Sequence, residues 1–456
     1  MVFFISERLG NFILDGLELE IPERNEIKHR VETFGYTIFD VKNLKIIMTD
    51  KIGFSILKNI NGKDNLKTIL RKVSTENKIP YFITAINSLK NLANWQENKL
   101  VQLNKKVHSK VNEKINTHPL QNGPNQISWL ITNQCNLRCS HCGNTSRAKL
   151  KNELTTEECF NLIDQCIDMN VFILNVSGGE PFLREKWFEI LSYAKKRGLE
   201  IGITTNGTLI TEETVKKIKQ IEPFNVHISL DGIGEVHDNF RNQRGVFNSV
   251  LKTIKLFKEY KIPFGITTSI TKRNFADLDN VKDFIKENKI NSWNLYYALP
   301  IGCLKKIESV STEEFYEFAK KIMKYKEELK DITHISVGDS LGYYGTSCIR
   351  DWFWNGCGAG ISGCSVDAEG NVKGCPILPS VFHEGNIRDR PLKDIWLDKN
   401  SFSYNRKPKK LTKHCNSCKY SKYCRGGCKS SMYAQETDFK YNNYCLYQIE
   451  QSRKCS

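Results

Sequence analysis

From residue 127 onward, short apolar runs with strand-like spacing alternate with stretches whose apolar residues recur every three or four positions. The strand-like runs fall at 127–132, 171–176, 200–204, 224–229, 264–270 and 293–297. Helical periodicity marks 155–169, 184–197, 211–220, 246–260, 275–288 and 312–330. This alternation predicts parallel strands, because a helical crossover returns the chain to the same end of the sheet. Six such repeats predict an α/β fold with a (βα)6 count and a parallel, barrel-like sheet, whose ligands sit at the C-terminal strand edge.

The first 104 residues have a different pattern. Residues 36–40 and 45–49 read as two strands around Val41-Lys-Asn-Leu44. Residues 52–60 have helical spacing and stop at Asn61-Gly62. Leu66, Ile69, Leu70 and Val73 mark a second helix, and Phe82, Ile86, Leu89 and Leu92 a third. A short strand at 99–103 closes a small winged-helix-like unit. Residues 105–126 are polar, with His118-Pro119 and Gly123-Pro124, and read as a linker. The expected domains are 1–104, then 127–335 for the repeats, then a cysteine-rich 336–456.

At 456 residues the chain has room for two or three domains, and 40% hydrophobic with 26% charged residues is the balance of a soluble globular protein. Every long apolar candidate is broken by Lys or Glu, so no membrane span is expected. Met1-Val-Phe-Phe-Ile-Ser-Glu-Arg8 lacks a basic region followed by an apolar core, so a cytoplasmic location is expected. In that compartment sixteen cysteines, none before residue 105, point to metal ligands rather than disulfides. A formal charge of +16 suits an acidic peptide, a flavodoxin-like electron donor or nucleic acid, and equally a merely solvated surface.

The chemistry concentrates at Cys135-Asn-Leu-Arg-Cys139-Ser-His-Cys142, just past the first strand of the repeats. Three thiolates within eight residues can hold three irons of a [4Fe–4S] cube and leave the fourth iron open. The spacing resembles the Cys-x3-Cys-x-aromatic-Cys signature of the radical S-adenosylmethionine (SAM) enzymes, with His141 in the aromatic place. The resemblance implies reductive cleavage of SAM to a 5′-deoxyadenosyl radical, followed by hydrogen abstraction from substrate. Ser177-Gly178-Gly179-Glu180-Pro181 follows the second strand. Its glycines permit close backbone approach, and it matches the family's GGEP motif, which receives SAM's methionine amino group. By the same resemblance Asn206, Ser229 and Arg241 are candidates for the ribose hydroxyls and the carboxylate. No residue is assigned as general base.

The last hundred residues hold Cys357-x12-Gly370-x4-Cys375, then Cys415-x2-Cys418-x5-Cys424-x3-Cys428, then Cys445. Taken alone, the two close pairs also suit a zinc site with four thiolate ligands. The whole pattern resembles the SPASM domain of radical SAM proteins, which implies two auxiliary [4Fe–4S] clusters. On that resemblance Cys415, Cys418, Cys424 and Cys445 bind one, and Cys357, Cys375 and Cys428 the other. Cys364 is the nearest candidate for its fourth ligand and Cys348 the next. Cys159, Cys166, Cys303 and Cys455 fit no ligand pattern, and Cys159 and Cys166 lie on a predicted helix as small core residues.

The N-terminal unit resembles the PqqD-like peptide-recognition element, in which a leader peptide adds a strand at a sheet edge. The whole chain resembles radical SAM/SPASM peptide maturases. That implies an oxidoreductase that modifies a ribosomally made precursor peptide by thioether or carbon–carbon crosslinking, with a flavodoxin or ferredoxin-like reductant. The alternatives are modification of a haem or quinone precursor, modification of a protein residue as in sulfatase maturation, and a winged-helix iron–sulfur DNA-binding regulator. Pro376 counts against sulfatase maturation, because those enzymes carry an acidic residue after the matching cysteine. The regulator needs no SAM pocket, so neither nucleic acid nor membrane is an expected partner.

Overall fold

In the first unit, residues 1–122, β1 (Leu19–Glu20) pairs with β5 (Gln102–Leu103). The strands β2 (Ile27–Glu32), β3 (Gly35–Asp40) and β4 (Lys45–Thr49) form an antiparallel sheet in that order. The expected strand pair is thus part of a trio. β2 escapes the periodicity because its buried positions are charged. Arg30 and Glu32 pair at 2.7 Å, while the apolar Val31 between them is exposed. Thr37 and the Asn122 backbone N–H also donate to Glu32, so the buried carboxylate is satisfied. The computed structural model describes residues 19–20, 27–33, 35–40, 45–60, 64–79, 102–103, 121–338, 356–407, 409–454 and seven positions between 81 and 95.

Helices α1 (Lys51–Asn59) and α2 (Leu66–Asn77) begin at Asp50 and Asn65, whose side chains accept from the N–H of Gly53 and Thr68. Leu66, Ile69, Leu70 and Val73 are all buried, in a core with Ile47, Ile56, Tyr81, Leu92 and Trp95. The described positions from 81 to 95 are helical. Of the third helix's expected apolar residues, Leu92 is buried, and Phe82, Ile86 and Leu89 lie outside the described residues, as does Asn61-Gly62.

The second unit, residues 123–456, is built on one sheet. β6 (Gln126–Leu130), β7 (Ile173–Ser177), β8 (Glu200–Thr205), β9 (Asn225–Ser229), β10 (Phe264–Ile270) and β11 (Ser292–Tyr297) lie side by side in chain order, all parallel. These are the six expected strands. A seventh, β12 (His334–Val337), continues the parallel series on β11. At the other edge the C-terminal region joins the same sheet. β13 (Gly363–Val366) runs parallel to β6, and β14 (Asn371–Lys373) and β15 (Gly385–Asn386) follow antiparallel.

The crossover helices are α3 (Thr156–Asp168), α4 (Trp187–Lys196), α5 (Glu212–Ile221), α6 (Glu235–Arg241), α7 (Val246–Tyr260), α8 (Leu278–Glu287) and α9 (Thr312–Glu328). Capping boxes start α3 and α9, with Thr155 and Ser311 each exchanging hydrogen bonds with a glutamate three residues on. α6 was not expected, since seven residues with three charges give too short a period to read. The C-terminal helices are α10 (Leu392–Leu397), α11 (Ser403–Arg406), α12 (Ser421–Cys424), α13 (Lys429–Ala434) and α14 (Leu446–Lys454).

Apolar and polar positions alternate on the strands. On β9, Val226 and Ile228 are buried in the main core, while Asn225, His227 and Ser229 are half-buried on the other face. The core thus fills the helix side and leaves polar side chains along the opposite face. The strands' C-terminal ends carry Ser177, Thr205 and Ser229, where the site lies.

Candidate active site

The cysteine loop leaves β6 and is pinned at both ends. The Cys135 N–H donates to the Arg147 carbonyl at 2.9 Å. Thr132 Oγ1 and the Asn133 and Leu150 N–H groups all donate to the buried carboxylate of Glu153, which Arg184 faces at 3.6 Å. Cys135, Cys139 and Cys142 gather around Leu137 and Val246 in one small apolar cluster. Burial raises the Cys139 thiol and Arg241 pulls it back down.

The turn after β7 lies flush against this loop. The N–H groups of Gly179 and Glu180 donate to the carbonyls of Thr132 and Gln134, each at 2.8 Å. A Cβ on Gly178, where φ is +153°, would stand 2.5 Å from the Thr132 oxygen, and one on Gly179 2.2 Å from that of Gln134. Both glycines are therefore required by the packing of one backbone on another. Glu180 is wholly buried, and burial pushes its carboxyl up to about 7. It accepts from Thr205 Oγ1 at 2.7 Å and from the Asn206 N–H at 2.8 Å, locking the ends of β7 and β8 together. Asn206 in turn donates to Asn136, inside the cysteine loop, and Asn136 donates to Thr208. The side chains of Glu180 and Asn206 are thus engaged within the protein. Ser177 and Ser229 at this edge are half-buried.

Arg241 ends α6 and is buried against Asp231, with which it forms an ion pair, and its Nη1 reaches the Cys139 sulfur at 3.8 Å. Burial works against its charge, but Asp231 and Cys139 hold the guanidinium above its ordinary value. His237 Nδ1 accepts from the Asp231 N–H at 3.0 Å. His141 packs on Phe240 with ring centroids 4.1 Å apart, and burial holds its imidazole well below its usual range. The Cys303 N–H donates to the Cys142 carbonyl at 3.0 Å, beside Gly302, whose Cβ would strike that carbonyl.

In the C-terminal region Cys415, Cys418, Cys424 and Cys445 line one cavity of about 470 Å³ counting its open mouth, together with Tyr420, Asn442 and Tyr447. Burial and the neighbouring thiols push Cys445 up to about 12. Cys357, Cys375 and Cys428 share neighbours, and Lys429 also lies near Cys424. The buried Tyr404 lies in the field of Cys357 and Cys375, and Lys429 in that of Cys357 and Cys428. Ser430 Oγ donates to the Cys375 sulfur at 3.2 Å. Cys364 is not with them. It points from β13 into the main core, close to Cys166 of α3. Its place on β13, in register with Ile127, makes it a core residue. Cys348 and Cys455 lie outside the described residues. Cys159 and Cys166 are fully buried in the same core.

These donor sets suit iron–sulfur cubes. Among the described residues no three His, Cys, Asp or Glu side chains close on a single-ion point. Buried polar atoms without partners lie within the three-cysteine loop, at His141 Nδ1, and beside it, at Arg241 Nε. The sequence pattern did not single out Glu153, Asn136 or Asp231, because each acts through a neighbour distant in the chain. Asp231 came nearest, lying beside Ser229 at a strand end.

Residues 129–285 match the family model of the radical SAM superfamily, and residues 357–419 that of the SPASM iron–sulfur cluster-binding domain. The chain is 32% identical to an AdoMet-dependent heme synthase of Methanosarcina barkeri, over 72% of this chain and 98% of that one. It is 24% identical to the antilisterial bacteriocin subtilosin biosynthesis protein AlbA of Bacillus subtilis, over 92% of each. Its fold is similar to that of SAM-bound SuiB from Streptococcus suis, with a TM-score of 0.69 and 18% identity over 92% of this chain and 98% of that one. Among the described residues no helix is long and apolar enough to cross a membrane.

Proposed function

The chain belongs to the radical SAM superfamily and carries a SPASM iron–sulfur domain, and from that premise we propose that it modifies a ribosomally made precursor peptide by oxidative thioether or carbon–carbon crosslinking. It is an enzyme whose cofactors are [4Fe–4S] clusters and SAM. When bound, the SAM-binding cluster supplies the electron that releases a 5′-deoxyadenosyl radical for hydrogen abstraction.

In this reading Cys135, Cys139 and Cys142 hold that cluster. Arg241 balances thiolate charge at Cys139. Gly178 and Gly179 let the turn after β7 lie against the cysteine loop, and Glu180 fixes that turn to the end of β8. Ser177 and Ser229 offer polar groups to SAM at the strand edge. Cys415, Cys418, Cys424 and Cys445 hold one auxiliary cluster, and Cys357, Cys375 and Cys428 supply ligands to the other. Residues 1–104 recognise the peptide as a PqqD-like element, by strand addition at a sheet edge. A flavodoxin or ferredoxin-like protein supplies the electron.

The observation that carries the peptide reading is extent. Likeness to AlbA and SuiB covers 92% of the chain, more than residues 123–456 alone can supply, so it reaches into the first unit. AlbA is a bacteriocin biosynthesis protein, and SuiB has been solved with its precursor peptide SuiA. A second reading, SAM-dependent modification of an iron porphyrin, is favoured by the 32% identity to a haem synthase. Its match spans a smaller share of the chain, which leaves the N-terminal unit without a task.

The test uses the enzyme reconstituted anaerobically with iron and sulfide, then given reductant, SAM and the short peptide encoded beside its gene. A mass loss of about two hydrogens per crosslink, dependent on residues 1–122, is the expected result. A peptide unchanged by mass and by deuterium incorporation, with an iron porphyrin converted in the same assay, overturns the peptide reading in favour of the porphyrin.

A further inference from the structure

A buried cation, Lys429, and a half-buried one, Arg425, lie next in the chain to Cys428 and Cys424. Lys429 opens α13 directly after Cys428 and is 1% exposed. Its Nζ donates to the Arg425 carbonyl at 2.6 Å and lies 3.9 Å from the Met432 sulfur. Arg425 directly follows Cys424, in the left-handed region at φ 52°. Its Nη2 donates to the Cys357 carbonyl at 3.1 Å, and its Nε is buried without a partner.

Chain adjacency and these bonds tie the two side chains to Cys424 of one set and to Cys357 and Cys428 of the other. Among the described residues no carboxylate faces either cation. Besides Arg425 beside Lys429, the ionisable side chains nearest them are Cys357, Cys424 and, for Lys429, Cys428. Burial lowers Lys429, and Cys357, Cys424 and Cys428 raise it, with Arg425 opposing them. Burial likewise lowers Arg425, with Cys357 and Cys424 raising it. A buried ammonium without a counter-ion is costly, so its natural counter-charge is an anion held by the flanking cysteines.

We propose that Lys429, supported by Arg425, is a shared counter-ion between the two auxiliary clusters and sets their reduction potentials, an inference that rests on the cysteine assignment above. A four-thiolate [4Fe–4S]2+ cube carries a net charge of about −2, and one-electron reduction makes it about −3. A fixed positive charge beside it stabilises the reduced form, easing acceptance of an electron from a substrate radical. Lys429 touches no reacting atom and acts through the clusters. A unit charge within about 10 Å at an effective dielectric of about 20 changes a one-electron equilibrium constant by at least tenfold, which is about 59 mV for one electron.

The experiment is an EPR-monitored dithionite titration of the reconstituted full chain, comparing wild type with Lys429→Met and Lys429→Arg. Iron and sulfide are counted in each, and SAM identifies the signal of its own cluster by perturbing it. The expected result is an auxiliary potential at least tenfold harder to reduce in Lys429→Met, restored in Lys429→Arg, with the SAM-cluster potential unmoved. Loss of auxiliary iron in Lys429→Met but not in Lys429→Arg also supports a charge role. Equal loss in both variants, or unmoved potentials with full iron in Lys429→Met, overturns the inference alone. A wild-type chain with iron for one cluster, about four atoms rather than about twelve, overturns the cysteine assignment and the inference with it.

Discussion

The carboxylate of Glu180 accepts the backbone N–H of Asn206 at 2.8 Å while its other oxygen takes the hydroxyl of Thr205 at 2.7 Å. One buried acidic side chain thus joins the ends of β7 and β8, and through Asn206 and Asn136 it fixes the loop that bears the three cysteines. Replacing it strands buried donors, each costing about 1–3 kcal/mol. Glu180→Ala is therefore expected to lower stability by about 2–4 kcal/mol and to weaken SAM binding, with Glu180→Gln in between. Chemical unfolding and equilibrium SAM binding on the reconstituted protein check both, and an unchanged SAM affinity in Glu180→Ala refutes the link.

The two glycines of the same turn are expected to tolerate nothing larger. In Gly179→Ala the new methyl meets the Gln134 carbonyl at 2.2 Å, a contact with backbone that no rotamer relieves. Overpacking of this kind costs about 1–3 kcal/mol, and here the strain falls on the cysteine loop. Iron bound by the first cluster is expected to fall below one half of wild type, measured in a chain whose auxiliary ligands are intact.

Metal content separates the cysteines by role. Cys415→Ala and Cys357→Ala are each expected to lose the iron of one cube, about four atoms. Cys364→Ala is expected to keep all its iron and to lose about 1–2 kcal/mol of stability through the small cavity left in the core. Iron loss in Cys364→Ala contradicts its placement beside Cys166.

A pH-dependent contact ties α3 to the C-terminal region. Arg388 grips Glu158 through two hydrogen bonds, at 2.5 and 2.7 Å, and this holds the Glu158 carboxyl down to about 2. A depressed carboxyl stabilises the fold above its unfolded pKa of about 4.3, and that contribution is lost as pH falls from there toward about 2. The pair is partly exposed, so solvent screening leaves it about 1 kcal/mol at neutral pH. Arg388→Ala is expected to be less stable than wild type by that amount at pH 7 and indistinguishable near pH 2 in urea titrations. An equal gap at both pH values refutes the contact's role.

Local patterns determined much of this protein. Alternating periodicities specified the six parallel strands and their crossover helices, because each element buries one face and its period follows from its own geometry. Cysteine spacing singled out the three-cysteine loop and the C-terminal array, because several thiols at short fixed intervals can reach one cube together. Only the tertiary structure decided the rest. β2 hides its charged residues and exposes Val31, so its pattern reads backwards without the partners that satisfy Arg30 and Glu32. Cys364 read only as a candidate ligand in the sequence, and the pairing of β13 with β6 sets it in the core. The glycines after β7 looked ready for a ligand, and the fold spends their missing side chains on a neighbouring backbone. Nothing in the sequence set Lys429 apart from the other lysines, because burial and proximity between distant segments are properties of the folded molecule and leave no periodic trace along the chain.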